Sequence, residues 1–444
     1  MDVTLSGRAG RCLAAAVVYA VSCIVFSFIF GFASVPSIVA GFHQPIGEAL
    51  ASGTSLYGSG YYWDLPPLAY LFVWIPALVT SSAGDYQIVF ALLTVPFACL
   101  GAWCTDRMAE RFGYSVRNTV ILYTALLALL AAPACDGVSL PATALAMLAF
   151  VLMIEDRNVP AFLCLALSFL IGGFTLFLLP VMMSYVWYVR DRRESLIGTA
   201  AFAVVSVIAF AAVYAAGSDP SCVLGNVLSR PIEFMSSFAT ITELLGLLGL
   251  TTYGVTMEGW YTCLTGSLPE AFGLIILPLA VVVLCMLHSH YPYWLHRKGV
   301  HTEYFMENTA VMAMLSILTV TIVSNTLVPQ VTVWTVPFAV FYFIVSRNPN
   351  ERDTVMEFLL AAAVMDIFAM VFGMGLRPFG SDPDIIAVGF IGVRNLYYLV
   401  PYLLLTRRLI VNDRGRNGPG RDLEDDFLGS ARTLIARIFR GSSR

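Results

Sequence analysis

From Cys12 to Phe32 the chain carries no charged side chain. A helix needs about 20 apolar residues to cross the hydrocarbon of a bilayer, and this run supplies them. Further apolar runs follow at 86–106, 118–130, 142–154, 159–171, 174–189, 196–216, 271–287, 309–326, 331–345, 355–375 and 387–405. Such a pattern excludes a water-soluble fold. Composition agrees: 58% of the residues are hydrophobic and 12% charged, where soluble domains carry about 25% charged. The first run is also too long for the apolar core of a cleavable signal, so it is expected to stay as a membrane span.

Arginine sets the orientation. The basic residues are 24 Arg and one Lys, Lys298, and such residues concentrate in cytoplasmic segments. Arg8 and Arg11 precede the first run, which places the N-terminus inside. Alternation then puts Arg107–Arg117, Arg157, Arg190–Arg193, Arg297–Lys298, Arg347–Arg352 and Arg407–Arg408 on the same side. Only Arg230, Arg377 and Arg394 fall elsewhere. The run 67–80 is short and broken by Pro76; counting it as a crossing would send most arginines outside, so it reads as a surface or re-entrant helix. The expected fold is an all-α polytopic membrane protein of about twelve transmembrane helices with both ends cytoplasmic. Residues 1–405 form one transmembrane domain with outer loops at 33–70 and 217–269. Residues 406–444 form a cytoplasmic tail.

In that tail Phe427, Leu428, Ala431, Leu434, Ile435, Ile438 and Phe439 share one helical face, with Arg432 and Arg437 towards the other. An amphipathic helix on the inner leaflet is expected, a disordered tail after the Gly-rich lead-in 412–420 being the alternative.

The first outer loop, 33–70, is the longest polar interval in the first half of the chain. Its segment 44–52 has helical spacing, with Ile46 and Leu50 on one face and Glu48 off it. Tyr57, Tyr61, Tyr62 and Trp63 follow, then Asp64 and Pro66–Pro67 at the start of the next apolar run. A short amphipathic helix, aromatics and a Pro-started helix suit a segment at the membrane surface.

Ionisable groups outside the cytoplasmic segments are the functional candidates, because such groups are costly near lipid. The outer carboxylates are Glu48, Asp64, Asp136, Asp219, Glu233, Glu243, Glu258, Asp382 and Asp384, and His43 is the one outer histidine. Asp366 and Arg394 lie within runs, at depths that look staggered, and Asp366 could equally be satisfied by hydroxyls or backbone. Arg394, followed by Asn395, Tyr397 and Tyr398, suits gripping a phosphate at headgroup depth, with Arg377 and Arg230 able to join it. Snorkelling is the competing reading. Asp64 could act chemically or simply cap its helix. His288 and His290 lack a ligand cluster, so no metal site is expected, although a divalent cation stays open. Cys222 and Cys263 share the second outer loop and could pair. Nucleic acid is not an expected partner.

Four stretches resemble the GT-C superfamily of membrane glycosyltransferases, in particular polyprenyl-phosphate-mannose transferases and the catalytic subunit of the first GPI-anchor mannosyltransferase. They are GEALASGTSLY with DLPPLAYLFVWIPAL, then APACDGVSLPATA, GGFTLFLLPVMMSYVW and LVPQVTVWTVPFAV. The resemblance covers roughly residues 10–405 and implies a GT-C-like domain. It also implies an integral membrane enzyme of a prokaryotic plasma membrane or the endoplasmic reticulum, moving a hexose such as mannose from a polyprenyl-phosphate donor to an outer acceptor. In this chain Glu48 and Asp64 would supply the catalytic carboxylate. Arg394, Arg377 and Arg230 would hold the donor phosphate, and His43, Tyr57, Tyr61, Tyr62 and Trp63 would contact sugar or acceptor. The chain departs from the family where its acidic motif should stand, at Ser37 and Val39; near Gly173 or Thr175, where a Lys is expected; and at Val331, where a Tyr is expected. A non-catalytic lipid-binding or partner subunit is therefore the second expectation, and a transporter or flippase the third.

Overall fold

The computed structural model describes residues 7–30, 39–54, 65–135, 137–216, 231–258, 261–296, 302–325, 327, 329–371 and 385–414. Each of the twelve expected runs coincides with a helix. These are α1 Arg8–Phe30, α4 Ala83–Arg111, α5 Val116–Leu129, α7 Ser139–Ile154, α8 Asn158–Ile171, α9 Leu179–Val189 behind a 3-10 turn Gly173–Leu178, and α10 Arg192–Ala215. The rest are α12 Ser267–His296, α13 Thr302–Ile322, α14 Thr332–Val345, α15 Pro349–Val371 and α16 Ile385–Arg414. Short helices α2 Gln44–Ala51, α3 Ala69–Val79, α6 Ala131–Cys135 and α11 Ser237–Leu247 fill the connections.

The described helices differ in what surrounds them. Within α1, α4, α10, α12, α13 and α16, six segments are long and apolar enough to cross a membrane. Helices α5 and α8 have 14 residues each, about 21 Å at 1.5 Å per residue, short of a bilayer core. α5 is carried on by α6 and α8 by the turn at Gly173–Leu178, and each keeps an apolar side chain exposed, Ile121 and Leu167 respectively. α7 and α14 are buried on nearly every face, as expected of a core element apolar all round. α10 and α12 instead expose Val204, Val207, Ile208, Leu274, Ile275 and Val282. Exposed apolar surface of that extent has no aqueous counterpart, so lipid covers it and the protein is integral to a membrane.

Small residues let the helices approach. An added methyl at Gly198 of α10 would run into the Phe162 ring of α8, and one at Gly101 of α4 into the Tyr123 phenol of α5. Ala142, Ala144, Ala146 and Ala149 of α7 are buried for the same reason.

The arginine-bearing helix ends gather at one end of the bundle, as the sequence alternation requires. Arg8 Nε and Arg11 Nη2, at the start of α1, lie 2.7 and 2.5 Å from the Asp106 carboxylate near the end of α4. Arg107 pairs with Glu155 after α7, and Arg190 after α9 lies 2.7 Å from Asp156. Arg408 of α16 pairs with Glu307 of α13 and Glu351 of α15. Asp106 and Glu307 are almost fully buried, which a carboxylate tolerates only with such partners. Since α1 starts and α4 finishes at this end, α3 between them does not cross the bundle.

The all-α expectation fails locally. The second long connection contains a three-stranded antiparallel sheet, ordered β1 Ile232–Glu233, β3 Tyr261–Thr265, β2 Gly254–Glu258. Its register pairs Val255 with Leu264, Thr256 with Cys263 and Ile232 with Leu264. Val, Thr and Tyr in this stretch favour a pleated ribbon. Gly266, at φ +127°, lets the chain leave β3 for α12 in a conformation other residues resist.

Candidate active site at the end opposite the arginines

The four stretches singled out in the sequence come together away from the basic end. In the first, α2 lies on α3 and α4 with Ile46 buried among Val39, Tyr70, Val73 and Tyr86. Gly47 allows that contact: a side chain there would strike the Val73 carbonyl and the Tyr86 hydroxyl, and that hydroxyl donates to the same carbonyl at 2.6 Å. The Leu68 amide, before α3, donates to the Leu170 carbonyl at 2.8 Å. This sets the Pro66–Pro67 turn beside the Gly172–Gly173 break that opens the third stretch. There Phe174 stacks face to face on Trp334 of the fourth stretch, ring centres 3.9 Å apart. The Trp334 indole donates to Ser139 of the second at 2.9 Å.

Thr332 joins this cluster to a buried polar network. Its hydroxyl and that of Tyr398 both donate to Asp366 Oδ2, the latter at 2.6 Å. Oδ1 lies 3.3 Å from Arg394 Nε, and neither charged side chain has any exposure. Arg394 Nη2 also donates to the Leu327 carbonyl at 2.5 Å and reaches the Met235 carbonyl at 3.5 Å. Asp366 and Arg394 are therefore paired, contrary to the staggered depths read from the sequence. The length of the arginine side chain bridges the offset. Being sealed and committed to Asp366 and two carbonyls, Arg394 is not at the surface where a lipid phosphate would meet it. It clamps α16 to the turn before α14 and to the second long connection.

Glu48 is exposed on α2 and accepts from Gln44 Nε2 at 2.8 Å, which also donates to the Ser81 carbonyl at 3.0 Å. No described hydrogen bond or ion pair joins it to Arg394. His43, expected to contact sugar or acceptor, is buried, 3% exposed, and stacks on Phe90 at 5.4 Å. Burial pushes its imidazole down to about 4. Asp64, Tyr57, Tyr61, Tyr62, Trp63, Arg230, Arg377, Cys222 and the tail helix lie outside the described residues. No cluster of metal-ligating side chains occurs among the described residues.

Two carboxylates stand out that sequence reasoning left unranked. Glu233 and Glu243 are 6% and 0% exposed although both lie in the second long connection. A signal was available for Glu243. Ser236, Ala239, Thr240 and Glu243 follow the i, i+3, i+4, i+7 spacing of one helical face. That face meets α16, where Asn395 Nδ2 donates to Thr240 Oγ1 at 3.0 Å.

No protein-family model matches the chain, and no curated protein matches it. Among solved structures, the chain is similar to the crystal structure of ArnT from Cupriavidus metallidurans bound to undecaprenyl phosphate. The TM-score is 0.42 and the identity 14%, covering 95% of this chain and 77% of that one. A likeness of that size fixes neither a family nor an activity.

Proposed function

We propose that the chain is a polytopic membrane transferase with twelve crossings, moving a sugar from a polyprenyl-phosphate donor to an acceptor at the end opposite the arginines, the outer face. The reading rests on one observation: of the four family-like stretches, scattered from residue 47 to residue 340, three meet through Phe174–Trp334 and Trp334–Ser139, and the first is held beside them by Leu68–Leu170, two residues ahead of the third.

The base must come within hydrogen-bond reach of the acceptor hydroxyl. Glu48 is reachable as it stands and takes that role; Asp64 is the alternative. Glu243 is closed off and would need the second connection to lift. The donor phosphate falls to Arg230 and Arg377, since Arg394 is committed internally. Tyr57, Tyr61, Tyr62 and Trp63 would offer aromatic faces to the sugar. Mannose is the donor sugar the resemblance favours.

Purified protein in proteoliposomes, supplied with radiolabelled polyprenyl-phosphate mannose or glucose and with a total membrane extract as the source of acceptor hydroxyls, should move label onto the acceptor and release polyprenyl phosphate. Glu48→Gln should stop release while donor binding persists. Full activity in both Glu48→Gln and Asp64→Asn would remove the base assignment, and no release from any such donor would remove the transferase reading. A non-catalytic lipid-binding or partner subunit is the second reading, favoured by the enclosure of Arg394 and by Ser37 and Val39 standing where the family has acids.

A further inference from the structure

The arginine-rich end holds a cleft of about 420 Å³ that no role above uses. Its rim carries Arg111 from the end of α4, Arg190 from the end of α9 and Arg347 after α14, and no carboxylate is among its lining residues. Tyr114 and Ser346 add hydroxyls. Its floor is apolar, made by Phe112, Ile154, Met306, Ile344 and Val345. Arg190 is partly neutralised by Asp156 at 2.7 Å, whereas Arg111 is exposed and has no partner among the described residues.

Three guanidinium groups from three separate helix ends face the cleft; Asp156 offsets Arg190 and Glu307 accepts from the Arg347 amide at 2.7 Å, so the positive charge at the rim is carried chiefly by Arg111. Guanidinium groups bind phosphate oxygens through forked, charge-assisted hydrogen bonds. A soluble anion would gain nothing from the apolar floor. An anionic amphiphile would use both parts, and basic pockets between helix ends on the cytoplasmic side are where lipid headgroups dock. We propose that this cleft binds the phosphate headgroup of an anionic membrane lipid from the leaflet at the arginine-rich end. The site is remote from the transferase site and independent of that assignment.

The test is native mass spectrometry of the full chain in detergent, titrated separately with phosphatidylglycerol, phosphatidylcholine and inorganic phosphate. Phosphatidylglycerol should be retained in preference to phosphatidylcholine. Each arginine removed should weaken it about tenfold, the worth of one charge-assisted contact. The R111Q/R347Q pair should thus lose the preference, while Arg117→Gln, at the same end but outside the cleft, keeps it. If the pair fails to fold, Arg111→Gln alone carries the test, because its side chain is exposed. Displacement of phosphatidylglycerol by millimolar phosphate, lost in R111Q, supports the same site. Equal retention of the two lipids, an unchanged preference in the R111Q variants, or tight phosphate binding with no lipid preference would overturn the proposal.

Discussion

Asp366→Asn keeps the size of the side chain and removes its charge, leaving the Arg394 guanidinium alone in a site with no exposure. At 3.3 Å and an effective dielectric of 20, the lost attraction is about 5 kcal/mol. Two features reduce it. Arg394 keeps the Leu327 and Met235 carbonyls, and the amide oxygen of Asn can still accept from Thr332 and Tyr398. A destabilisation of about 3 kcal/mol is expected, the lower end for breaking a buried pair from one side. Arg394→Gln should cost a similar amount. The double variant should cost clearly less than the sum, with a coupling of about 2 kcal/mol. The assay is unfolding of the purified protein in mixed micelles by a rising fraction of denaturing detergent, followed by tryptophan fluorescence. Asp366→Asn within about 0.5 kcal/mol of wild type, or strict additivity in the cycle, would refute the clamp.

Trp334→Ala removes both the stack on Phe174 and the hydrogen bond to Ser139; it should cost about 3–5 kcal/mol in the same unfolding assay, and Trp334→Phe about 1 kcal/mol. His43 is held neutral by burial, its pKa near 4 when folded against about 6.5 when unfolded. Its contribution is therefore full above pH 6.5 and declines as pH falls to 4, by about 3 kcal/mol in all; His43→Phe should flatten that part of the stability–pH curve. In a background without reactive cysteines, Gly58→Cys should react with impermeant thiol reagents on intact cells and Ser115→Cys only with permeant ones, and the reverse pattern would invert the topology.

The helices were legible because each apolar run announces itself, and their pairing of ends because arginine marks one side. Glu48 off the apolar face of α2 and the non-crossing of α3 at Pro76 followed from the same rules. The sheet at 232–265 was not legible: its strands are short, lie in a polar connection and alternate weakly. Nor was the Asp366–Arg394 pair, since run boundaries locate a backbone within a few residues while the pair depends on how far an arginine reaches. The burial of His43 was not legible either, because polarity in an outer loop suggests exposure and only its stacking on Phe90 shows it enclosed. Glu243 was hidden for the converse reason, as its burial depends on α11 meeting α16.

The central claim is that four separate stretches form one site for a lipid-linked phosphate sugar. A photoactivatable polyprenyl phosphate, cross-linked to the full chain in proteoliposomes and mapped by peptide mass spectrometry, tests it most directly. The account predicts adducts within 65–78, 137–144, 172–180 and 327–337, all suppressed by excess unlabelled polyprenyl phosphate. Adducts confined to the lipid-facing surfaces of α10 and α12, or labelling that the competitor leaves unchanged, would contradict it.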